Sequence, residues 1–505
     1  MTVLLLHPPQ AKPAEPPAGI PLLAGTLREN GVSCAVCDLN LEGLYYLLSL
    51  DSQAEDTWSK RAFKNRHQQL QNLQSTKTYT NQDKYKRAVA DLNRVIENRG
   101  KESGISLSLA NYQDTEHSPL KSVDLLQCGA DFENNLFFPH FSTRLHALIT
   151  KHNPHYIGLS LNYLSQAQTT FAIAGFIKKE FPSISIILGG GLVTTWMQNP
   201  NWVNPFDRLF DHMVCGPGEH ALLEIIGIEN SGKRCPPDYR DLRDSAYLAP
   251  GWILPYATSI GCFWRKCSFC PETSEKNPYI PVKAETVLSE IHDLIKRNSP
   301  SMVHFLDNAI SPAVLKSLTR QPLNVPWYGF VRFTSQLTDP DFCKQLRDSG
   351  CVMLKLGLES GSQKVLDQMR KGIDLQLVRK ALLSLHQAGI RTYVYLLFGT
   401  PAETHVEAQQ TLRFVADHHT QITFLNLAIF NLPTCSAQTK ELEIRNFYEG
   451  DLSIYTDFIH PHGWGRKEIR RFLDSEFKRE PVIHSIMQND PLIFTSNHAP
   501  FFCKP

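Results

Sequence analysis

Trp252-Ile253-Leu254-Pro255-Tyr256-Ala257-Thr258-Ser259-Ile260 runs directly into Gly261-Cys262-Phe263-Trp264-Arg265-Lys266-Cys267-Ser268-Phe269-Cys270. The first part is rich in apolar, aromatic and β-branched residues and reads as a strand over 252–259. The second part is a short loop carrying three thiols. Outward from this point strand and helix signals alternate. Strands are expected at 302–306, 327–333, 353–358, 391–398 and 422–428, with amphipathic helices between them, for example over 363–369 and 377–388. That is a (β/α) repeat of about six units, a partial TIM-like barrel, across 251–430. In such repeats the loops that follow the strands carry the ligands, and the three-thiol segment is the first of them.

Three thiolates can hold three irons of a 4Fe-4S cluster and leave the fourth iron open to a substrate or cofactor. The competing interpretations are a zinc site, which wants a fourth protein ligand, and cysteines that merely pack in a core. Further along, polar residues cluster where strands should end. They are Leu306-Asp307-Asn308, Arg332, Gly357-Leu358-Glu359-Ser360-Gly361-Ser362 and Phe398-Gly399-Thr400-Pro401-Ala402-Glu403-Thr404. Each of these alone reads as a cap or turn, and an Arg in that position suits a carboxylate or a surface ion pair equally.

Taken together and in this order, these segments resemble the radical S-adenosylmethionine (SAM) superfamily, whose three-Cys loop follows the first barrel strand with an aromatic before the last Cys, as Phe269 stands before Cys270. The spacing departs from the superfamily's commonest pattern, because four residues rather than three separate Cys262 from Cys267. The resemblance implies that Cys262, Cys267 and Cys270 ligate a 4Fe-4S cluster. It also implies that Asp307 and Asn308 face the SAM amino group, that Glu359 and Ser360 face the ribose and methionine ends, and that Gly399 and Pro401 lie near the adenine. Phe269 and Arg332 join this set, Arg332 toward the SAM carboxylate. An electron donor such as flavodoxin or ferredoxin is the implied partner, beside a small-molecule or peptide substrate.

From residue 1 to about 230 apolar β-rich runs again alternate with helical patterns, which predicts a doubly wound, Rossmann-like α/β domain. Strands are expected at 3–7, 33–39, 156–161, 184–188 and 212–215, with helices at 20–29, 166–180 and 219–226. A largely helical insertion occupies about 45–150, where Tyr85, Val89, Leu92 and Ile96 share one helical face, and 104–118 reads as a loop. Within it, residues 60–101 hold eleven Lys or Arg against three Asp or Glu, either a basic docking surface or a solvated helix face. Residues 231–250 look like an interdomain linker, and 431–505 form a C-terminal extension rich in aromatics and His.

Pro8-Pro9, 22–30, Ile157-Gly158-Leu159-Ser160, Leu188-Gly189-Gly190-Gly191 and Cys215-Gly216-Pro217-Gly218-Glu219 resemble the cobalamin-binding domains that precede many radical SAM cores. The resemblance implies corrin contacts from Gly189, Gly190, Gly191, Gly216, Gly218 and Glu219. Asn40 stands where cobalamin mutases carry the cobalt-ligating His of Asp-x-His-x-x-Gly, so a His-ligated cobalt is not expected. The same feature fits a domain that has lost the cofactor.

Composition sets the outer limits. Over 505 residues, apolar residues make up 42% and charged ones 20%, an ordinary globular mixture long enough for two domains. A net charge of +1 offers no general attraction to nucleic acid or to an anionic membrane. There is no secretory signal and no apolar stretch near the roughly 20 residues a spanning helix needs. With 12 scattered cysteines, reduced thiols in a cytoplasmic protein are expected rather than a disulfide framework. Cys34 and Cys37 read as a pair within a strand rather than a redox motif. His460, His462 and His498 could touch substrate or simply be hydrogen-bonded, and Cys343, Cys351 and Cys435 could donate hydrogen, act as acid or base, or merely pack, so the sequence singles out no catalytic acid or base. The expected activity is cobalamin-dependent methyl transfer begun by reductive SAM cleavage. The alternatives are a cobalamin-free cyclisation, rearrangement or oxidation, and a non-catalytic iron-sulfur binding or sensor protein.

Overall fold

Strands such as Thr2–Leu6 and Ser185–Gly189 form because Val, Leu and Ile crowd short segments bounded by Pro and Gly. The structure is a computed structural model and describes residues 1–51, 56–101, 103–229, 232–445, 450–492 and 498–502. It divides into two compact units, one formed mainly by Met1–Trp252 and the other mainly by the chain from Ile253 onward.

The first unit is built on β1 (Thr2–Leu6), β2 (Ser33–Cys37), β3 (Tyr156–Ser160), β4 (Ser185–Gly189) and β5 (His212–Met213). They pair in the order β2-β1-β3-β4-β5, all parallel. This doubly wound order has its switch point between β1 and β3, where ligands bind outside the carboxyl ends of the strands. Val3 and Leu5 of β1 pack against Ile20, Ala24 and Leu27 of helix Gly19–Glu29 and against Leu222 and Leu223 of helix Gly218–Ile225. Each fully buried Val, Leu or Ile among them contributes about 1.5–3 kcal/mol.

Three sequence expectations change here. The strand expected to reach residue 39 stops at Cys37, because the Asp38 carboxylate accepts a hydrogen bond from Leu41 N (3.0 Å) and caps helix Leu39–Ser49. The loop expected at 104–118 contains an antiparallel ribbon, Ile105–Leu107 with Tyr112–Asp114. Finally, the stretch expected as a linker packs onto the first unit. Arg28 bridges Asp238 (3.0 Å) and Asp241 (2.5 Å), Tyr247 donates to Asp38 (2.8 Å), and Tyr239, Leu242 and Leu248 are buried. In the insertion, Tyr85, Val89, Leu92 and Ile96 of helix Gln82–Lys101 are all buried. Of its basic residues, Lys60, Lys64, Lys77 and Arg87 face solvent, while Arg94 pairs with Asp56 and Glu97.

The second unit carries β6 (Ile253–Tyr256), β7 (Met302–Phe305), β8 (Trp327–Val331), β9 (Cys351–Glu359), β10 (Arg391–Phe398) and β11 (Phe424–Ile429). They form one parallel six-stranded sheet in sequence order, with helices in the crossovers. One face carries a run of polar and aromatic residues where such sheets usually carry branched aliphatics. His304 stacks on Tyr328 at 4.3 Å, Lys355 lies 5.0 Å from the Phe330 ring, and Phe330 packs on Tyr395 at 4.9 Å. By strand alternation the same face continues to Arg332, Gly357 and Glu359 at the carboxyl ends. Cys343 and Cys351 are buried, each with its thiol near a carbonyl oxygen, of Leu337 and Met353 respectively. Among the described residues, no helix is long and apolar enough to cross a membrane.

Candidate functional site

The thiol loop leaves the carboxyl end of the sheet and is anchored at its base and along its flank. At the base, Asp307, just beyond β7, accepts hydrogen bonds from Thr258 N (3.0 Å), Thr258 Oγ1 (2.7 Å) and Ser259 Oγ (2.6 Å). Both oxygens of this buried carboxylate are therefore committed to the strand that launches the loop, while its neighbour Asn308 is exposed. A short ribbon, Ser259–Ile260 with Ile280–Pro281, closes the loop behind Cys262.

Trp264 is the flank anchor. Its Nε1 donates to Arg370 O (3.0 Å), and the Arg332 guanidinium lies 4.5 Å from its ring. Gly372 has φ +67°, and a Cβ there would fall 1.9 Å from the Trp264 ring, so only glycine admits the indole. Ser268 N also donates to Met369 O (3.0 Å). The four-residue gap between Cys262 and Cys267 thus has a use, because it places an aromatic anchor in the loop.

Cys267 is buried and Cys262 and Cys270 are half-buried; all three are free thiols. Burial pushes Cys270 up to about 11 and raises Cys267, against which Lys371 and Arg332 draw Cys267 back down and Glu359 pushes it up. Arg332 Nη1 lies 3.8 Å from Cys267 Sγ, and its Nη2 donates to Lys371 O. Among the described residues, no group of three or more His, Cys, Asp or Glu is gathered to hold a single metal ion. Three thiolates on three different irons need not converge on one point, so this donor set suits a cluster better than zinc.

Glu359 ends β9 at a register shift after Gly357, with φ +67°, an uncommon backbone state for a residue with a side chain and one that gathers at functional sites. Its carboxylate pairs with Lys371 Nζ at 2.7 Å, both side chains being about nine-tenths buried (12% and 8% exposed). A Cβ on Gly357 would sit 2.5 Å from Glu359 Oε1 and 2.7 Å from Lys371 Nζ, so the pair occupies the space that glycine leaves. Lys371 belongs to no motif, so nothing in the sequence marks it. Ser360 is buried and turned inward, its Oγ 3.2 Å from Thr411 Oγ1 and accepting from Ser362 N (3.2 Å), so it holds the loop in shape.

Beside the thiol loop lies a cleft of about 270 Å3 whose wall includes Ser268, Phe269, Met369, Thr400, Pro401 and Ala402. Gln438 and His462 of the C-terminal extension also line it; His462 is one of the tail histidines that the sequence offers for substrate contact, whereas no sequence motif marks Gln438. The turn at 399–404 is held by Glu403, which accepts from Gly399 N (2.5 Å) and Trp464 Nε1 (3.1 Å). His460 contacts Thr400 O at 2.9 Å, and His498 stacks on Tyr393 at 4.8 Å, so both pack structurally.

Burial pushes the Glu403 carboxyl up to about 7 from its ordinary 4.5. A raised acid binds its proton more tightly in the folded chain, so the stability it contributes is complete below pH 4.5 and is lost as pH climbs through 7. Glu403→Gln should remove this slope. The stability difference between variant and wild type should move in the variant's favour by about 3 kcal/mol between pH 4.5 and 8, as read by urea unfolding; parallel pH profiles would show that Glu403 titrates normally.

In the first unit the loops at the carboxyl ends of the strands are fixed by side chains. Gln166 accepts from Asn162 N (3.0 Å) and Tyr163 N (3.1 Å) and donates to Pro8 O (2.7 Å), and Asn162 Oδ1 accepts from Gly191 N (3.0 Å). Gly190 has φ +118°, and a Cβ would lie 2.3 Å from Leu161 O, so it serves loop packing. Gly216 donates to Thr194 Oγ1 (2.9 Å) and has nothing within 4 Å of a Cβ, which leaves bare backbone on the rim, and Gly191 is exposed. Gly189 has room for a Cβ, Gly218 approaches Leu23, and Glu219 lies in the first turn of its helix. Asn40 is buried with its amide oxygen taken by Ala11 N (2.7 Å), so it is not a free ligand. Open backbone and no donor from Asn40 suit a broad, flat ligand held without an imidazole from this position. Cys34 and Cys37 lie in β2, where burial raises both thiols, Cys34 to about 12.

Residues 256–415 match the radical SAM superfamily. Among curated proteins, the chain is 22% identical over 365 residues to the anaerobic magnesium-protoporphyrin IX monomethyl ester cyclase of Rubrivivax gelatinosus, covering 62% of this chain and 63% of the relative. It is 21% identical over 307 residues to an uncharacterized methyltransferase of Pyrococcus horikoshii, covering 53% and 65%. The matched stretch is therefore less than two thirds of either relative's length. Among solved structures, the radical SAM methyltransferase TsrM of Kitasatospora setae, with cobalamin and a [4Fe-4S] cluster bound, aligns at TM-score 0.53 and 15% identity over 85% of this chain and 75% of that one. The cobalamin-dependent SAM radical enzyme OxsB with aqua-cobalamin bound aligns at TM-score 0.59 and 13% identity over 94% and 67%. At these identities the likeness is one of fold.

Proposed function

Residues 256–415 are a radical SAM domain, and from that premise we propose that the chain is an enzyme of cobalamin-dependent methyl transfer, with a 4Fe-4S cluster and SAM held in the second unit and cobalamin in the first. The observation that carries the first part is the shared wall, since Ser268 and Phe269 of the thiol loop line the same cleft as Thr400, Pro401 and Ala402. When bound, the reduced cluster supplies the electron that splits SAM into methionine and a 5'-deoxyadenosyl radical, and cobalamin supplies a methyl group.

The chain's own residues do the rest. Cys262, Cys267 and Cys270 hold the iron, and Trp264 with Arg332 keeps their loop in place before any iron arrives. Phe269, Met369 and Pro401 give the cleft its apolar contacts beside the polar side chains of Ser268, Gln368, Thr400, Gln438 and His462, and Glu359 offers a fixed carboxylate to ribose hydroxyls. In the first unit, Gly191, Gly216 and their neighbours would lie against a corrin by backbone alone. Two further supports for methyl transfer are that the solved neighbours hold cobalamin and that one of them is a methyltransferase. A one-electron donor of flavodoxin or ferredoxin type completes the reaction.

The test is to load the full chain with hydroxocobalamin, remove free cofactor, and record the spectrum of the reduced Co(II) form. We expect about one cobalamin retained per chain without nitrogen splitting from a lower ligand, because a neutral amide already bonded elsewhere is a poor transition-metal ligand. Failure to retain cobalamin would move the chain to a non-methylating radical SAM reaction, and nitrogen splitting would contradict ligation without imidazole.

A further inference from the structure

Lys371 and Glu359 form a buried ion pair that none of the assigned tasks requires. A carboxylate meant only to accept hydrogen bonds from a sugar needs no cation at 2.7 Å, and burying a cation costs solvation that pairing only partly returns. The pair lies against the thiol loop. Lys371 Nζ is 5.5 Å from the centre of the ring of Phe269, the residue just before Cys270, and the Lys371 carbonyl accepts from Arg332 Nη2, while Arg332 Nη1 is 3.8 Å from Cys267 Sγ. Cys267 is the most buried of the three thiols. In such surroundings solvent screens charges weakly, so a unit charge of either sign acts strongly on a neighbouring group that gains an electron.

We propose that the Lys371–Glu359 pair sets the reduction potential of the centre held by Cys262, Cys267 and Cys270, Lys371 favouring the reduced state and Glu359 opposing it. Reduction adds one negative charge to the centre. A fixed cation stabilises that charge and a fixed anion destabilises it, so the pair balances two opposite effects. Arg332 adds a second cation on the Cys267 side and holds Lys371 by its backbone. The inference rests on assigning the three thiols to an iron-sulfur cluster, and its test separates the two claims.

The experiment is electron paramagnetic resonance of the anaerobically reconstituted full chain, poised at a series of potentials, at fixed pH and without SAM. Lys371→Met should shift the potential to more negative values and Glu359→Gln to more positive ones. The double variant should return close to wild type, and Lys371→Arg should stay there. A merely structural pair would change iron content or linewidth without producing shifts of opposite sign. If wild type shows no cluster signal, the cluster assignment itself fails. If wild type shows the signal and neither Lys371→Met nor Glu359→Gln moves the potential, the proposal is overturned. Should Lys371→Met fail to hold iron, the Glu359→Gln shift decides alone, because that variant leaves Lys371 in place and removes only the charge that opposes reduction.

Discussion

Replacing Cys262, Cys267 and Cys270 together with Ala should abolish iron binding, taking the reconstituted chain from about one 4Fe-4S cluster to none while the fold persists. The loop does not depend on the thiols for its shape. Asp307 holds its base, Trp264 is seated over Gly372, and Ser268 is tied to Met369. Small polar losses on a half-exposed loop cost little stability beside the roughly 10 kcal/mol typical of folded chains. Circular dichroism should therefore match wild type while iron and sulfide analyses read zero. Iron retained at wild-type levels would place the cluster elsewhere in the chain.

The second large effect is on SAM. Glu359→Gln should weaken SAM affinity by roughly ten- to hundredfold with iron content unchanged, because it removes a charge-assisted hydrogen bond, which is worth about 1.5–3 kcal/mol. Gln is the right substitution because the pair with Lys371 makes truncation hazardous. Glu359→Ala would leave a buried ammonium without its partner and destabilise the chain by about 3–5 kcal/mol, confounding the measurement. Calorimetry on the loaded protein reads the affinity directly. Unchanged affinity would confine Glu359 to its role beside Lys371.

Much of this architecture is legible in the sequence, for local reasons. The strands of both sheets are short runs of apolar and β-branched residues whose period is visible by itself. Tyr85, Val89, Leu92 and Ile96 declare their helix face in the same way. What the sequence does not show depends on partners distant along the chain. Asp307 reads as a polar residue free to meet a ligand until Thr258 and Ser259 are seen to take both its oxygens. Ser360 reads the same way until Thr411 and Ser362 claim its hydroxyl. Lys371 is silent because an ion pair twelve residues long in sequence has no periodicity. Residues 231–250 look like a linker for their prolines and charges, yet the contacts of Arg28 with Asp238 and of Asp38 with Tyr247 draw this stretch onto the first unit, which composition does not encode. The expected end of β2 could have been read better, since an Asp before an apolar run is a cap signal.

The measurement that bears most directly on the whole account is the fate of SAM on the wild-type chain. With the cluster reconstituted anaerobically and reduced by dithionite, methionine and 5'-deoxyadenosine should appear together in equal amounts, and neither should appear with the triple Cys→Ala variant. SAM left intact by wild-type protein that carries a full, reduced cluster would contradict it.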